Sequence, residues 1–149
     1  MSFNNLDTLY RQVILDHYKN PRNKGHVEGD ALTVDMNNPT CGDRIQLQMR
    51  VEDGKIQDAK FNGEGCSISI SSASMMTQAI KGKPVDEALH MSELFSDMML
   101  GKEVDMDALS LEDIEALQGV SKFPARIKCA TLGWKAMEKG VQDEGSKAE

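Results

Sequence analysis

Two runs of alternating side chains separated by Asp53-Gly54 constrain this chain more than any other feature. Ile45, Leu47, Met49 and Val51 alternate with polar residues, and Ile56 to Phe61 reads as the return strand. Alternation places the apolar residues on one face of a strand, and Asp-Gly between two such runs is a strong hairpin signal. Leu32, Val34 and Met36 alternate just upstream. The three runs predict a small antiparallel meander with one apolar face to cover.

The cover is helical. Leu6, Leu9, Tyr10, Val13, Ile14 and His17 recur at helical spacing and predict a helix over about 5–19. It closes at Asn20-Pro21, because the residue before proline is pushed out of the α region. After the strands, Ser67 to Lys81 reads as a helix stopped by Gly82, and Pro84 opens another that continues toward Met99. Gly101 to Leu109 reads as an acidic loop. Ser110-Leu111-Glu112-Asp113 fits a loose capping box, opening a short helix that ends at Gly119. Phe123-Pro124 starts a terminal helix with Gly140 as its stop and a polar tail from about 141. Strands followed by helices give an α+β class: a three-stranded antiparallel sheet with helices packed on one face, in a single domain over 1–149.

A formal charge of −7 argues against a nucleic-acid partner, which calls for a basic face. Three cysteines, no hydrophobic leader and no apolar run near twenty residues point to a reduced, cytoplasmic protein without a membrane segment. The ten methionines suit either core packing or an adaptable partner surface.

Any one of the cysteines could be a small buried hydrophobe. Their positions point further. Cys41 lies in Asn37-Asn38-Pro39-Thr40-Cys41-Gly42-Asp43, a turn that puts a thiol close to a carboxylate. Cys66 follows Gly63-Glu64-Gly65 at a helix start, where unpaired N–H groups favour a thiolate. Cys129 sits in the first turns of the last helix. Cys41, Asp43, Cys66 and Cys129 together offer four anionic donors, the number a tetrahedral Zn²⁺ site takes. No Cys-x-x-Cys knuckle pairs them, so three distant pieces of chain would have to assemble the site. His17, His26 and His90 are the competing donors; His17 lies on an apolar stripe, and none of the three is expected to bind metal. Arg126, three residues before Cys129, has two open readings: a solvated charge, or a cation that steadies a thiolate, persulfide or partner carboxylate.

Three motifs carry a family resemblance. Tyr10-x-x-Val13-Ile14-x-x-His17-x-x-Asn20-Pro21-x-Asn23, Asn38-Pro39-x-Cys41-Gly42-Asp43 and Gly63-x-Gly65-Cys66-x-Ile68-Ser69 resemble the IscU-type proteins of iron–sulfur cluster assembly. The resemblance runs from Leu6 to about Lys139 and implies an α+β fold with Cys41, Asp43, Cys66 and Cys129 as metal ligands. Scaffold members carry histidine where this chain has Lys128, and a Leu-Pro-Pro-Val-Lys segment where it reads Val120-Ser121-Lys122-Phe123-Pro124-Ala125-Arg126. They also have a shorter stretch between the second and third cysteines. These departures are similar to the SufU branch of the family.

That branch implies a zinc-dependent sulfurtransferase that takes persulfide sulfur from a cysteine desulfurase of SufS type and relays it to a downstream iron–sulfur scaffold. Cys41 would be the persulfide acceptor, freed when a desulfurase histidine takes its place on the zinc, with Arg126 as an assisting cation. Two alternatives stand beside it. One is a scaffold on which the same four ligands hold a [2Fe–2S] cluster; the other is a zinc-stabilised interaction module without sulfur transfer.

Overall fold

The alternating runs form a sheet. In the computed structural model, which describes residues 2–29, 31–38, 42–105 and 112–148, three antiparallel strands lie in the order β1 (Leu32–Asn38), β2 (Asp43–Glu52) and β3 (Lys55–Glu64). Ile45, Leu47 and Met49 of β2 and Ile56, Ala59 and Phe61 of β3 are buried on the same face. Asp53 and Gly54 both take positive φ, 55° and 75°, the turn whose twist matches a right-twisted hairpin. β1 runs past its apolar positions so that Asn38 pairs with Asp43, which places a buried carboxylate at the end of the sheet.

Among the described residues, four α-helices accompany the sheet: α1 (Ser2–Lys19), α2 (Ser67–Ile80), α3 (Val85–Met99) and α4 (Pro124–Ala148). A 3₁₀ helix, Glu112–Lys122, lies between α3 and α4. α4 packs along β1 and β2, and α2 lies between β3, α4 and α1. Such a position buries α2 on nearly every side, which its serines permit. The hydroxyl of Ser72 donates to the Ala130 carbonyl at 2.5 Å. At the same crossing, a Cβ on Gly133 would lie 3.3 Å from the Ala73 Cα. Phe95 of α3 stacks on Trp134 of α4 with ring centroids 4.8 Å apart. Met49, Met75, Met76, Met91, Met98, Met99 and Met137 are all buried, so most of the methionines pack the core.

His17 is a satisfied core histidine. It is fully buried, with Nδ1 2.8 Å from Ser74 Oγ and Nε2 2.7 Å from Asp113 Oδ2. Ser74 Oγ also accepts the Arg22 backbone N–H at 2.8 Å. A carboxylate only accepts, so Nε2 carries a proton and donates to Asp113. The ring thereby pins the 3₁₀ helix to α1 and α2.

Two expectations need correction. The helix expected to end at Gly119 is a 3₁₀ helix that passes through Gly119 to Lys122. Its buried residues Ile114, Leu117 and Val120, with Ala116 beside them, turn toward the core, and Ile114, Leu117 and Val120 stack at the three-residue period of that helix. Ser110 and Leu111, the start of the supposed capping box, lie outside the described residues. Gly140 does not stop α4, which continues to Ala148. A Cβ there would stand 2.6 Å from Met49 Cε and 2.8 Å from Leu32 Cδ1, so this glycine lets α4 approach the sheet.

Candidate metal centre

The sheet end and two helices converge on one cluster. Gly42, at φ 73°, donates its N–H to the Asn38 carbonyl at 2.8 Å and turns the chain into β2 at Asp43. From the other direction β3 ends at Glu64, and after Gly65 the chain enters α2 with Cys66 as its N-cap residue. The Cys66 backbone is extended (φ −74°, ψ 169°), and its side chain makes no capping hydrogen bond. Cys129 enters from α4, fully buried.

Ligand atoms of Asp43, Cys66 and Cys129 all lie within 4.8 Å of one another. The Asp43 carboxylate is fully buried, and its two oxygens differ. Oδ1 accepts the Cys66 N–H at 3.0 Å and the Ser69 hydroxyl at 3.1 Å. Oδ2 is buried with no hydrogen-bond partner among the described residues. A buried carboxylate with one oxygen unsatisfied, beside two thiols, is costly unless a cation joins it. Sulfur donors favour zinc or iron over the hard cations calcium and magnesium. The donor set therefore fits a thiophilic metal, with room in its tetrahedral shell for one more ligand.

Of the four expected ligands, the structure brings Asp43, Cys66 and Cys129 together. Cys41 lies outside the described residues, two positions before Asp43 in the β1–β2 connection. Arg126 is exposed, one helical turn before Cys129. The charge of Cys66 chiefly, then hydrogen bonding to Cys129 and Cys66, hold its guanidinium above its ordinary range. Arg126 thus faces both thiols. Lys128, where scaffold members carry histidine, is exposed. His90 lies 4.0 Å from Glu93, and His26 Nε2 lies 3.5 Å from Asn62 Nδ2.

Two contributors escaped the sequence reading. Ser69, one turn into α2, orients Asp43 and also bonds the Cys66 carbonyl at 3.0 Å. Gly65 makes room for both, because a Cβ there would collide with Asp43 Oδ1 and lie 2.5 Å from Ser69 Oγ. Both residues belong to the Gly63-x-Gly65-Cys66-x-Ile68-Ser69 motif, which was the available signal. Gly65→Ala should therefore displace the carboxylate. Metal affinity is expected to fall about 10- to 100-fold, as when a group orienting a ligand is lost. Metal titration checks this, and unchanged affinity would mean that the cluster tolerates the shift.

The matches to known proteins agree with this architecture. The family model of the NifU-like N terminal domain matches residues 9–130. The zinc-dependent sulfurtransferase SufU of Bacillus subtilis (strain 168) is 73% identical over 145 residues, 97% of each chain. The iron–sulfur cluster assembly scaffold protein IscU of Streptococcus pyogenes serotype M1 is 44% identical over 95% of this chain and 88% of its own. In three dimensions, the FiSufU crystal structure from Fervidobacterium islandicum AW-1 superposes with a TM-score of 0.81 at 36% identity, covering 87% of this chain and 94% of that one. With the sheet order, the thiol-carboxylate cluster and these matches in agreement, the chain belongs to the NifU-like N-terminal domain family, in its IscU/SufU group.

Proposed function

We propose that this chain is a zinc-dependent sulfurtransferase of iron–sulfur cluster assembly. It accepts persulfide sulfur from a cysteine desulfurase of SufS type and relays it to a downstream scaffold in the cytoplasm. The observation that carries the reading is the buried Asp43 carboxylate, one oxygen unsatisfied, clustered with the Cys66 and Cys129 thiols. The name of the Bacillus subtilis relative supports both the metal and the reaction.

Asp43, Cys66 and Cys129, with Cys41 as the fourth donor, would hold Zn²⁺, which when bound keeps thiols deprotonated at neutral pH. The chain's own residues do the rest. Cys66 is tied at the start of α2, its N–H bonded to Asp43, and Cys129 is sealed inside α4. Cys41 is the acceptor because the other two thiols are held in packed helices, whereas its neighbour Gly42 is exposed. The Cys41 thiolate attacks the outer sulfur of the donor Cys–S–SH. A new S–S bond forms to Cys41 as the donor S–S bond breaks; the donor cysteine leaves as thiolate and the transferred sulfur keeps its proton. No external oxidant or reductant is needed. Arg126, beside Cys66 and Cys129, steadies negative charge on sulfur during the exchange.

The test is metal analysis of the purified protein, then peptide-level mass spectrometry after brief incubation with the desulfurase and cysteine. One zinc per chain and an added sulfur on Cys41 are expected. Added sulfur chiefly on Cys66 or Cys129 would overturn the assignment. Several relatives are named scaffolds, among them that of Streptococcus pyogenes, and this supports a second reading in which the same ligands hold a [2Fe–2S] cluster. Protein purified brown with iron and sulfide, rather than colourless with zinc, would favour it.

A further inference from the structure

We propose that the groove between α1, the start of α2 and the end of the 3₁₀ helix is where the sulfur-donating protein docks, through an acidic segment that carries an apolar anchor. This rests on the sulfurtransferase reading above. The groove encloses about 420 Å³, and Tyr10, Ile14, Ile68, Val120 and Phe123 form its apolar lining. Phe123 is 61% exposed, against 43% for Tyr18. It is nonetheless held in place: its N–H donates to the Val120 carbonyl at 2.9 Å, and Pro124 opens α4 directly after it. Tyr10 presents its ring while its hydroxyl donates to Glu115 Oε1 at 3.2 Å.

Position and charge select the occupant. Ile68 is two residues from Cys66, and Phe123 is three residues from Arg126, so the groove adjoins the thiol cluster. Its rim carries the exposed cations Arg11 and Lys122. From Ala116 to Met137 the chain has four cations (Lys122, Arg126, Lys128 and Lys135) and no carboxylate, in a protein whose formal charge is −7. An acidic partner is repelled by the protein as a whole and attracted by this one segment, so the field sets the approach that brings it to the cysteines. A rigid aromatic beside an apolar pocket then provides the kind of anchor that dominates interface energies.

The experiment uses the full chain, loaded with zinc, and its cognate cysteine desulfurase. Phe123→Ala should weaken binding about 30-fold, as expected for an aromatic anchor. Lys122→Glu should slow association about tenfold at low salt, with the deficit shrinking as salt is added. Zinc content and thermal stability should match wild type in both variants, since both side chains are exposed. Wild-type protein that takes up sulfur, together with variants that bind and take it up equally well, would overturn the docking site alone. Wild-type protein that takes up no sulfur would instead overturn the sulfurtransferase reading. Self-association of the wild type that Phe123→Ala abolishes, with desulfurase binding intact, would assign the groove to a second copy of this chain and overturn the proposal.

Discussion

Asp43→Asn should leave the metal-free protein as stable as wild type, or more so, while removing most of its zinc affinity. The amide oxygen can still accept the Cys66 N–H and the Ser69 hydroxyl that Oδ1 now accepts. What disappears is a buried negative charge whose second oxygen has no hydrogen-bond partner among the described residues. Without metal that charge is a burden, because a buried carboxylate oxygen with no hydrogen-bond partner is costly. With metal it is a ligand, and its loss should weaken binding by about 100-fold or more, beyond what removing an outer partner of a ligand costs. A hundredfold loss of affinity removes about 2.7 kcal/mol of zinc-dependent stabilisation at fixed free zinc. Paired thermal melts with chelator and with zinc read both arms. Wild-type zinc affinity in the Asn variant would show that the carboxylate serves only to hold the start of α2.

The cysteines should separate into two classes. Cys129→Ser changes little in volume at a fully buried position, so its main consequence is loss of a thiolate ligand. Zinc should be lost, and with it about 4 kcal/mol of stability when free zinc stands a thousandfold above the wild-type dissociation constant. Cys66→Ser should behave in the same way. Cys41→Ser should still fold and bind the desulfurase yet accept no sulfur, a loss of transfer rather than of structure. Zinc stoichiometry, melting temperature and mass-spectrometric sulfur uptake, measured on all three variants, make the comparison. A Cys41→Ser variant that becomes persulfidated at wild-type rate would place the acceptor elsewhere.

The strands were legible because alternation is local. Ile45, Leu47 and Met49 declare one buried face within a few residues, and Asp53-Gly54 can take the two positive φ angles that the hairpin turn requires. The first helix was legible for the same reason, down to its end before Pro21. The 3₁₀ helix was not. Ile114, Leu117 and Val120 satisfy an i, i+3 spacing that an α-helix also shows, so side-chain pattern does not separate the two, and the tighter turn appears only in the folded backbone. Gly140 looked like a helix stop because glycine usually marks one after the last periodic residue. Its role depends on Met49 and Leu32, strand residues remote in sequence.

The candidate donors could be proposed from residue chemistry: thiols at a turn and at helix starts, with a carboxylate nearby. Sequence by itself determined the meander and the α+β class and named the candidate ligands, since each depends on local pattern or side-chain chemistry. Tertiary structure decided that Asp43, Cys66 and Cys129 share one pocket, because pairing of β2 with β3 and packing of α4 on α2 are long-range events. It also decided that Asp43 keeps one oxygen for α2 and leaves the other unsatisfied. Spacing along a chain cannot state how a buried charge divides its hydrogen bonds; that follows from which groups the packed elements bring within reach.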